Sequence, residues 1–484
     1  MGFGTLDYVV LILYLVGIAL FGIMQGGRQK STHDYFLGRG EIPWWIVCFS
    51  IVAAETSTLT FISIPGLAYL TNLNFLQLTF GYLIGRIVVS FLFLPAYHKG
   101  ELSTAYAFLE SRFGSKTRSF ASVVFILTRM AADGVRLFAT AIPLKFILHI
   151  DYPLAVLILA VVALGYTYVG GVRGVIWVDA VQMVIYIGGA LVAAVLLVNS
   201  SGGGWVAATQ QAWEAGKFQV FNLSFTDFWK TPYTLFGGLV GGAFLSMASH
   251  GVDQLIVQRV LAAKTLASGR KALIGSGILI IFQFALFMVV GLLLYGHFHG
   301  ASVAALGLTR ADEIFPWYII QGLPPGISGL IIAGLLAAAL STLAGSISSM
   351  ASSTVLDLYR PYFGKNVTPD RELMISRFVT VAWAALLVLS ALFFMNTPQT
   401  VVELALSIAS FTYGGLLGTF LLGVLFKRPT QEDALAGFVA GIFLMIAVIS
   451  LNVVAWTWFT VIGVAATLFV GNMLSLLGKR AAVS

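Results

Sequence analysis

Charged side chains are scarce in this sequence, and their scarcity decides which solvent the protein folds in. Only 10% of the 484 residues are Asp, Glu, Lys or Arg, and 59% are hydrophobic, whereas a soluble domain carries about 25% charged residues. So few solvated groups cannot cover a water-facing surface. The composition therefore excludes a soluble globular protein and predicts a chain that uses the lipid bilayer as part of its solvent.

Cysteine and histidine are also rare. The single cysteine, Cys48, excludes an internal disulfide and a cysteine metal cluster, and the six histidines are scattered without the spacing of a zinc site or of a nucleophile and its base. The net charge of +7 comes from basic residues in short loops between apolar segments, not from a basic face. We therefore expect neither an enzyme nor a nucleic-acid partner.

Hydropathy predicts thirteen membrane-spanning helices. A helix needs about 20 mostly apolar residues to cross a bilayer, and thirteen segments are close to this length. Numbered from zero, spans 0 to 7 cover 7–26, 43–69, 75–97, 118–149, 153–169, 175–198, 233–259 and 272–295, and spans 8 to 12 begin near Pro325, Arg377, Thr400, Ala434 and Val453. The predicted fold class is therefore an all-α, polytopic membrane protein.

The loops between these spans alternate in their content of basic residues. Twenty of the 27 Lys and Arg residues, including Arg259 at the end of span 6, lie after even-numbered spans, whereas four lie on the opposite side. Cytoplasmic loops carry the excess of Lys and Arg in membrane proteins. We therefore expect a multi-pass protein of the cell membrane, with its N-terminus outside and its C-terminus in the cytoplasm.

Spans 1 to 5 and spans 6 to 10 form two blocks of five, and an odd number of spans inserts the second block upside down. The predicted regions are an extra helix with the first inner loop over 1–42, repeat one over 43–199, an outer loop over 200–232, repeat two over 233–428 and two extra helices over 429–484. The opening span of each block has a polar middle, at residues 55–58 and 249–254. Both opening spans are expected to be broken near the membrane midplane, where such proteins bind their solute.

Ionisable side chains inside spans are candidates for function, because each costs at least about 2.5–3.5 kcal/mol on insertion scales. Glu55, in the first predicted break, either binds a cation or amine or pairs with an arginine. Asp133 and Arg136, three residues apart on span 3, either pair along one face or contact the solute. Asp179 near the inner end of span 5 either serves the site or reaches toward the interface. Arg86 in span 2 is expected to pair.

Span 8 carries adjacent hydroxyls at Ser341 and Thr342, followed by small residues at a spacing of three to four. The adjacent pair predicts a site for a small hard cation, which takes oxygen ligands from hydroxyls and from the carbonyls of a broken helix. Sodium is the expected ion. The later serines of this span are expected to allow close helix packing.

Four stretches of the chain occur in a distinctive order. They are Ala53 to Ser57 with Ile64-Pro65-Gly66, Tyr166 to Gly171 leading into Gly174 to Asp179, Asp253-Gln254 to Gln258-Arg259, and Ala338 to Thr342 with Asp357-Leu358-Tyr359. Together they resemble the sodium:solute symporter family over nearly the whole chain. The resemblance implies the LeuT fold, a five-plus-five inverted repeat with one extra helix before it and two after it. It also implies sodium-coupled import of a small organic solute by alternating access.

By this resemblance the sodium site uses the backbone carbonyls of Ala53, Thr56 and Ala338 and the hydroxyls of Ser341 and Thr342. Asp179 is implied to lie inward of the ion, on its exit path. Some sialic-acid-transporting members hold a second sodium ion with two further serines one turn along the same helix. Ala344 and Gly345 stand at these places here, and neither has a side-chain oxygen, so we expect one sodium ion per cycle.

The resemblance also places the solute at the break of span 1. The candidate contacts are Glu55, Ser57 and Thr60 on span 1, Thr79 on span 2, Arg136 on span 3, and Ser249, His250 and Gln254 on span 6. Ser249 and His250 stand where sugar-transporting relatives carry an aromatic pair, which disfavours a sugar. Glu55 and Arg136 together favour a small zwitterion such as an amino acid, with its amine toward Glu55 and its carboxylate toward Arg136. The alternatives are a sodium-coupled sugar, monocarboxylate or sialic-acid-like symporter, and a proton-coupled transporter that uses Glu55 or Asp179.

Overall fold

The structure is a computed structural model that describes residues 3–27, 29–38, 41–100, 102–148, 150–364, 367–395 and 401–477. The regular elements in these residues are helices, and α-helices dominate. They are α1 Thr5–Gly26, α2 Thr32–Leu37, α3 Trp44–Glu55, α4 Thr58–Leu70, α5 Leu76–Leu92, α6 Leu94–Lys99, α7 Ala105–Phe113, α8 Ser115–Leu148, α9 Tyr152–Ser200, α10 Gly204–Glu214, α11 Gly242–Gly251, α12 Gln254–Leu261, α13 Leu266–His297, α14 Ile314–Gln321, α15 Ile327–Ser353, α16 Arg360–Phe363, α17 Pro369–Phe394, α18 Val401–Leu425, α19 Gln431–Leu451 and α20 Phe459–Leu477.

Fewer helices qualify as membrane-spanning by their length and composition than the sequence analysis predicts. Among the described residues, eight helices are long and apolar enough to cross a membrane, and the bent pair α3 and α4 makes nine. The difference arises partly where a predicted span is divided into short helices, as in α11 and α12, and partly where two spans join in α9. The predicted start of span 10 near Thr400 and the predicted end of span 3 at residue 149 lie outside the described residues. The count of thirteen and the repeat boundaries stay predictions.

Helix α9 joins the predicted spans 4 and 5, but it is not regular throughout. Gly171 has φ +57° and ψ −163°, outside the helical region. A side chain there would be strained at this φ, and its Cβ would lie 2.7 Å from the carbonyl oxygen of Tyr35. The kink therefore lies between the two predicted spans, and a glycine is what the backbone requires at that point.

Both predicted breaks are present. Helix α3 ends at Glu55, and α4 begins at Thr58 with its axis bent by 68° from that of α3. Ser57 caps the N-terminus of α4, since its hydroxyl accepts a hydrogen bond from the amide of Thr60. In the second repeat α11 ends at Gly251, and Asp253 caps α12 by accepting a hydrogen bond from the amide of Leu255. Each break thus begins its second half-helix with a polar cap.

Helix α15 is the central helix of the structure. Its most apolar 18-residue window is 89% buried, whereas the corresponding windows of the peripheral helices α1 and α17 are each 22% buried. Lipid-facing helices keep apolar surface exposed, because hydrocarbon tails solvate it. Helix α15 is therefore surrounded by protein, and its hydroxyl groups must find partners on neighbouring helices.

The segment before span 6, which is predicted to be an outer loop, contains α10. It also provides a charged side chain that caps the C-terminus of α4. The ammonium group of Lys217 donates to the carbonyl oxygens of Tyr69, Leu70 and Thr71 at 2.8, 3.1 and 3.0 Å. A cation at a helix C-terminus is favoured by the helix dipole. Burial lowers the pKa of Lys217, and the three carbonyl acceptors satisfy its donors. The loop thereby holds the second half of the broken helix.

Glycines on α1 and α9 allow the two helices to cross at backbone contact. A Cβ added at Gly170 would lie 2.7 Å from the carbonyl oxygen of Gly22, and one added at Gly26 would overlap the backbone of Gly170. Small residues permit close approach of this kind in membrane proteins. The extra N-terminal helix is therefore fixed against repeat one.

We expect Gly26→Val to destabilise the protein, because the added side chain meets backbone atoms that cannot move away independently. Overpacking typically costs about 1–3 kcal/mol. Gly17→Val on the same helix is the matched control, since nothing lies within 4 Å of a Cβ at that position. The thermal unfolding midpoint of the detergent-purified protein measures the effect, and equal midpoints for the two variants would contradict the packing.

Candidate ion and solute site

The break of the first repeat supplies backbone oxygens in the interior of the protein. The last four carbonyls of a helix lack partners within that helix, and α3 ends at Glu55. The carbonyl of Val52 is satisfied by the amide and the hydroxyl of Thr56, at 3.1 and 2.8 Å. Ala53 and Thr56 are both completely buried. Their carbonyl oxygens therefore lie in the interior of the protein.

The hydroxyl pair of α15 lies next to this break. Thr342 lines the same cavity as Ser57 and Thr58, and Ser341 is completely buried. The Ser341 hydroxyl donates to Asp179 Oδ1 at 2.6 Å, and the Thr342 hydroxyl donates to the carbonyl of Ala338 at 3.2 Å. Each hydroxyl oxygen keeps lone pairs after donating its proton. The pair can thus still accept a cation.

Asp179 is buried and ion-paired, so the interpretation in which it reaches toward the membrane interface is wrong. Its Oδ2 accepts hydrogen bonds from Arg259 Nη2 at 2.8 Å, Arg259 Nε at 3.0 Å and the Ser50 hydroxyl at 2.6 Å. Arg259 is only 1% exposed. Its prediction as a basic residue of an inner loop is therefore also wrong, because a composition count does not distinguish a solvated arginine from a buried one.

A cavity lies beside the sodium ligands proposed from the sequence. Its polar lining consists of Ser57, Thr58, Asp133, Arg136, Thr140 and Thr342, and its apolar lining of Leu59, Leu137, Leu159, Ala339, Leu340 and Leu343. A lining that combines apolar side chains with a few convergent polar groups is typical of small-molecule sites. Sequence reasoning identified Ser57, Arg136 and Thr342 but missed the hydrogen-bonded pair Thr58 and Thr140.

Arg136 belongs to a chain of alternating charges that runs from the cavity to α12. Its Nη1 lies 2.8 Å from Asp133 Oδ1, which confirms that these two residues pair along one face of α8. Asp133 Oδ2 is 3.4 Å from Arg129 Nη1, and Arg129 Nη2 is 2.6 Å from Asp253 Oδ2. The hydroxyl of Tyr413 also donates to Asp253, at 2.8 Å. The i,i+4 spacing of Arg129 and Asp133 was the available sequence signal for this chain.

Glu55 does not line the cavity. It is paired with Arg86, and His250 Nε2 lies 3.5 Å from the same carboxylate oxygen, Oε2. Arg86 also donates to the Ser276 hydroxyl at 2.7 Å, and the Ser249 hydroxyl is 2.8 Å from His250 Nδ1. Of the two alternatives, the structure shows the pairing with an arginine, and it also confirms that Arg86 pairs. This cluster joins α3 to α5, α11 and α13.

The other predicted solute contacts also lie outside the cavity lining. The Thr79 hydroxyl donates to the carbonyl of Leu76 within α5, and the Thr60 hydroxyl lies 3.3 Å from that of Ser57. Gln254 accepts a hydrogen bond from the amide of Ala105 at 2.9 Å. Of these three residues, Gln254 connects helices, and Thr79 completes a hydrogen bond of its own helix.

The chain is similar to known proteins over most of its length. The chain matches the description "Sodium:solute symporter family" over residues 35–441. It belongs to this family. A sodium/sialic acid symporter of Aliivibrio fischeri is 30% identical over 482 residues, covering 99% of this chain and 94% of the relative. One of Proteus mirabilis is 27% identical, covering 92% and 90%.

A solved structure extends the agreement to three dimensions. The substrate-bound outward-open state of a Na⁺-coupled sialic acid symporter has a TM-score of 0.90 and 25% identity to this chain, and 99% of each chain is covered. The predicted family, the LeuT fold and sodium coupling are therefore confirmed. The protein is a multi-pass membrane transporter, not an enzyme, and it carries sodium with a small solute.

We expect Arg86→Met to destabilise the protein by about 3–5 kcal/mol, because it leaves the Glu55 carboxylate in the interior without its counter-charge. Arg86→Met combined with Glu55→Gln is expected to recover most of that loss, since no uncompensated charge remains. The free energy of unfolding in detergent, measured for both single variants and the double variant, gives the coupling between the two residues. Additive effects would contradict the pairing.

Proposed function

We propose that the protein imports a carboxylate-bearing, hydroxyl-rich solute of the sialic-acid-like class together with sodium. The observation that carries this proposal is that Arg136 lines the cavity with threonine and serine hydroxyls, whereas Glu55 is held by Arg86 outside it. A guanidinium group recognises a carboxylate by paired hydrogen bonds. The two relatives named above are sodium/sialic acid symporters, which supports the same solute class.

The same observation argues against the zwitterion hypothesis, because Glu55, the expected partner of the amine, lies outside the cavity. An amine would need an acidic partner in the cavity, and the acidic residue that lines it is Asp133. That carboxylate already accepts from Arg136, from Arg129 and from the Ser346 hydroxyl at 2.5 Å. An organic acid is therefore a better match to the cavity than an amino acid.

The proposed sodium site consists of five oxygens. They are the carbonyls of Ala53, Thr56 and Ala338 and the hydroxyls of Ser341 and Thr342. Sodium, as a hard cation, is suited to an all-oxygen site, and half-helix ends supply such carbonyls in this architecture. All five residues are at most 5% exposed, so a bound ion exchanges its water shell for protein oxygens. Asp179 would lie along the exit path of the ion.

Coupling between ion and solute follows from their shared residue. Thr342 lines the solute cavity and supplies a proposed sodium ligand, so a bound cation and a bound carboxylate lie close enough to attract in a medium of low dielectric constant. Each cargo then binds more tightly when the other is present, and this reciprocity is required by linkage. Helices with breaks at this point would move relative to the remainder to expose the site alternately.

The proposed orientation places the N-terminus outside and the C-terminus in the cytoplasm, on the basis of the basic loops. In this orientation α12 and its cap Asp253 lie on the cytoplasmic side of the cavity. The contacts of Asp253 with Arg129 and Tyr413 would close that side of the site. Their opening would release solute and sodium into the cell.

Replacement of both hydroxyls, by Ser341→Ala with Thr342→Ala, is expected to abolish sodium-dependent solute accumulation, because two of the five proposed ligands are lost. Uptake of labelled sialic acid into proteoliposomes, in sodium or in choline at fixed pH, measures the effect. Ser349→Ala on the same helix is the control, since its hydroxyl donates to a carbonyl of its own helix. Retained sodium dependence in the double variant would refute the site.

Arg136→Gln is expected to remove sodium-dependent thermal stabilisation by sialic acid, because a neutral amide cannot balance the carboxylate. Loss of a charge-assisted contact of about 1.5–3 kcal/mol weakens binding by roughly tenfold or more. Arg112→Gln is the control, because this arginine donates to the carbonyls of Gly423 and Phe426 and not to the cavity. Stabilisation of the unaltered protein by glucose but not by sialic acid would overturn the proposed solute class.

A further inference from the structure

A further cavity lies at the outside of the helix bundle, between α9 and α17. The residues that line it include Tyr168 of α9 and, on α17, Asp370, Met374, Arg377, Phe378 and Val381. The α17 residues recur every three to four positions, which places them on one face of that helix. This cavity shares no lining residue with the solute cavity. Because α17 is peripheral and largely exposed, the cavity opens toward lipid.

The part of the cavity farthest from the start of α17 is apolar. Met374, Phe378 and Val381 are 63%, 73% and 40% exposed. Helix α17 carries two acidic residues in its first turn and is mostly apolar from Phe378 to Phe394, so these side chains lie where hydrocarbon chains solvate them. The three side chains form an apolar groove that can take an acyl chain.

Arg377 lies between the apolar groove and the charged first turn of α17. Its guanidinium is 5.8 Å from the centre of the Tyr168 ring, and its Nη2 donates to Gln29 Oε1 at 3.3 Å. Its Nε is buried and has no hydrogen-bond acceptor among the residues that the structure describes. A buried donor without an acceptor is costly, and a guanidinium group carries five donors. The cavity therefore offers positive charge to an acceptor from outside the protein.

Asp370 provides a negative charge at the other end of the same cavity. It lies two turns before Arg377, about 10 Å along the helix axis, and its side chain is exposed. The side chain of Arg377 leans toward Asp370, because helical side chains point toward the helix N-terminus. From the bilayer core outward, the cavity thus presents an apolar groove, a cation and then an anion.

We propose that this cavity binds one phospholipid with an ethanolamine headgroup. The acyl chain lies along the apolar groove, the phosphate contacts Arg377, and the ammonium group lies toward Asp370. This order of groups along the lipid matches the order of groups along α17. A phospholipid with a glycerol headgroup would bring its phosphate to the same arginine but would leave Asp370 without a cation. The lipid would join α9 to α17 and, through Gln29, to the end of α1.

Native mass spectrometry of the full-length, delipidated protein in detergent tests the proposal. We expect the unaltered protein to retain one phosphatidylethanolamine, and to bind it about two- to fivefold more tightly than phosphatidylglycerol with the same acyl chains, which is the effect of an exposed ion pair. Arg377→Gln is expected to weaken binding of phosphatidylethanolamine about tenfold or more, since a charge-assisted hydrogen bond is lost.

Arg270→Gln is the matched control for this arginine. Arg270 also lies over an aromatic ring, 4.8 Å from the centre of Phe91, but its Nε donates to the carbonyl of Ser90 at 3.0 Å. Its replacement is expected to leave the affinity for phosphatidylethanolamine unchanged. Equal loss of affinity in the two arginine variants, or no loss in either, would overturn the proposed site.

Asp370→Asn tests the choice of headgroup and remains informative if Arg377→Gln fails to fold, because Asp370 is exposed. This variant is expected to lose the preference for phosphatidylethanolamine without weaker binding of phosphatidylglycerol. Equal affinity of the unaltered protein for the two lipids would contradict the ethanolamine headgroup.

Glycerophosphoethanolamine, which has the same headgroup and no acyl chains, distinguishes a lipid from a water-soluble phosphate compound. We expect no retention of this compound. Binding as tight as that of phosphatidylethanolamine would overturn the role of the apolar groove. These measurements need neither sodium nor the solute, so their outcome is independent of the proposed transport function.

Discussion

Every polar group within a bilayer must find its partner inside the protein, since lipid tails offer none. The structure departs from regular helix mainly where this requirement can be met by groups on other helices. Helix α3 ends at Glu55 beside a central helix that is rich in hydroxyls, and the second break begins with Asp253 as a helix cap. The same requirement brings the acidic side chain of each break together with an arginine.

The paired charges give the transport cycle a simple electrostatic basis. Glu55 pairs with Arg86, Asp179 with Arg259, and Asp133 and Asp253 share Arg129 while Asp133 also contacts Arg136. Within these described clusters the resident charges balance before any cargo arrives. A cation and an anion that enter the site are then best stabilised by each other, which makes simultaneous occupation favourable. We infer that the need for joint binding arises from this balance of charge together with the shared residue Thr342.

Much of the fold was predictable because it depends on local properties of the sequence. Apolar length indicated the helices, polar runs indicated both breaks, and the three-residue spacing of Asp133 and Arg136 indicated their pairing. The remaining partners depend on the packing of distant segments. Arg259 lies 80 residues from Asp179, and neither hydropathy nor charge counts could distinguish it from a loop arginine.

The later serines of α15 show the same limit from another direction. Their spacing predicts close packing, and the helix is indeed buried. Ser346 also donates to Asp133, and Gln258 donates to Ser348 at 3.2 Å. A small polar residue can serve packing and hydrogen bonding together, and only the neighbouring helix decides which partner it meets.

Binding of a cation and an acid at neighbouring places, as proposed for Thr342 and Arg136, has a thermodynamic consequence for the cell. When one sodium ion accompanies a singly charged acid, no net charge crosses the membrane. The membrane voltage then does no work on the movement of the two cargoes from one side to the other. The highest ratio of inside to outside concentration that the acid can reach then equals the ratio of outside to inside concentration of sodium. The proposed pairing of one cation with one acid would therefore set an upper limit to accumulation and make intake insensitive to depolarisation.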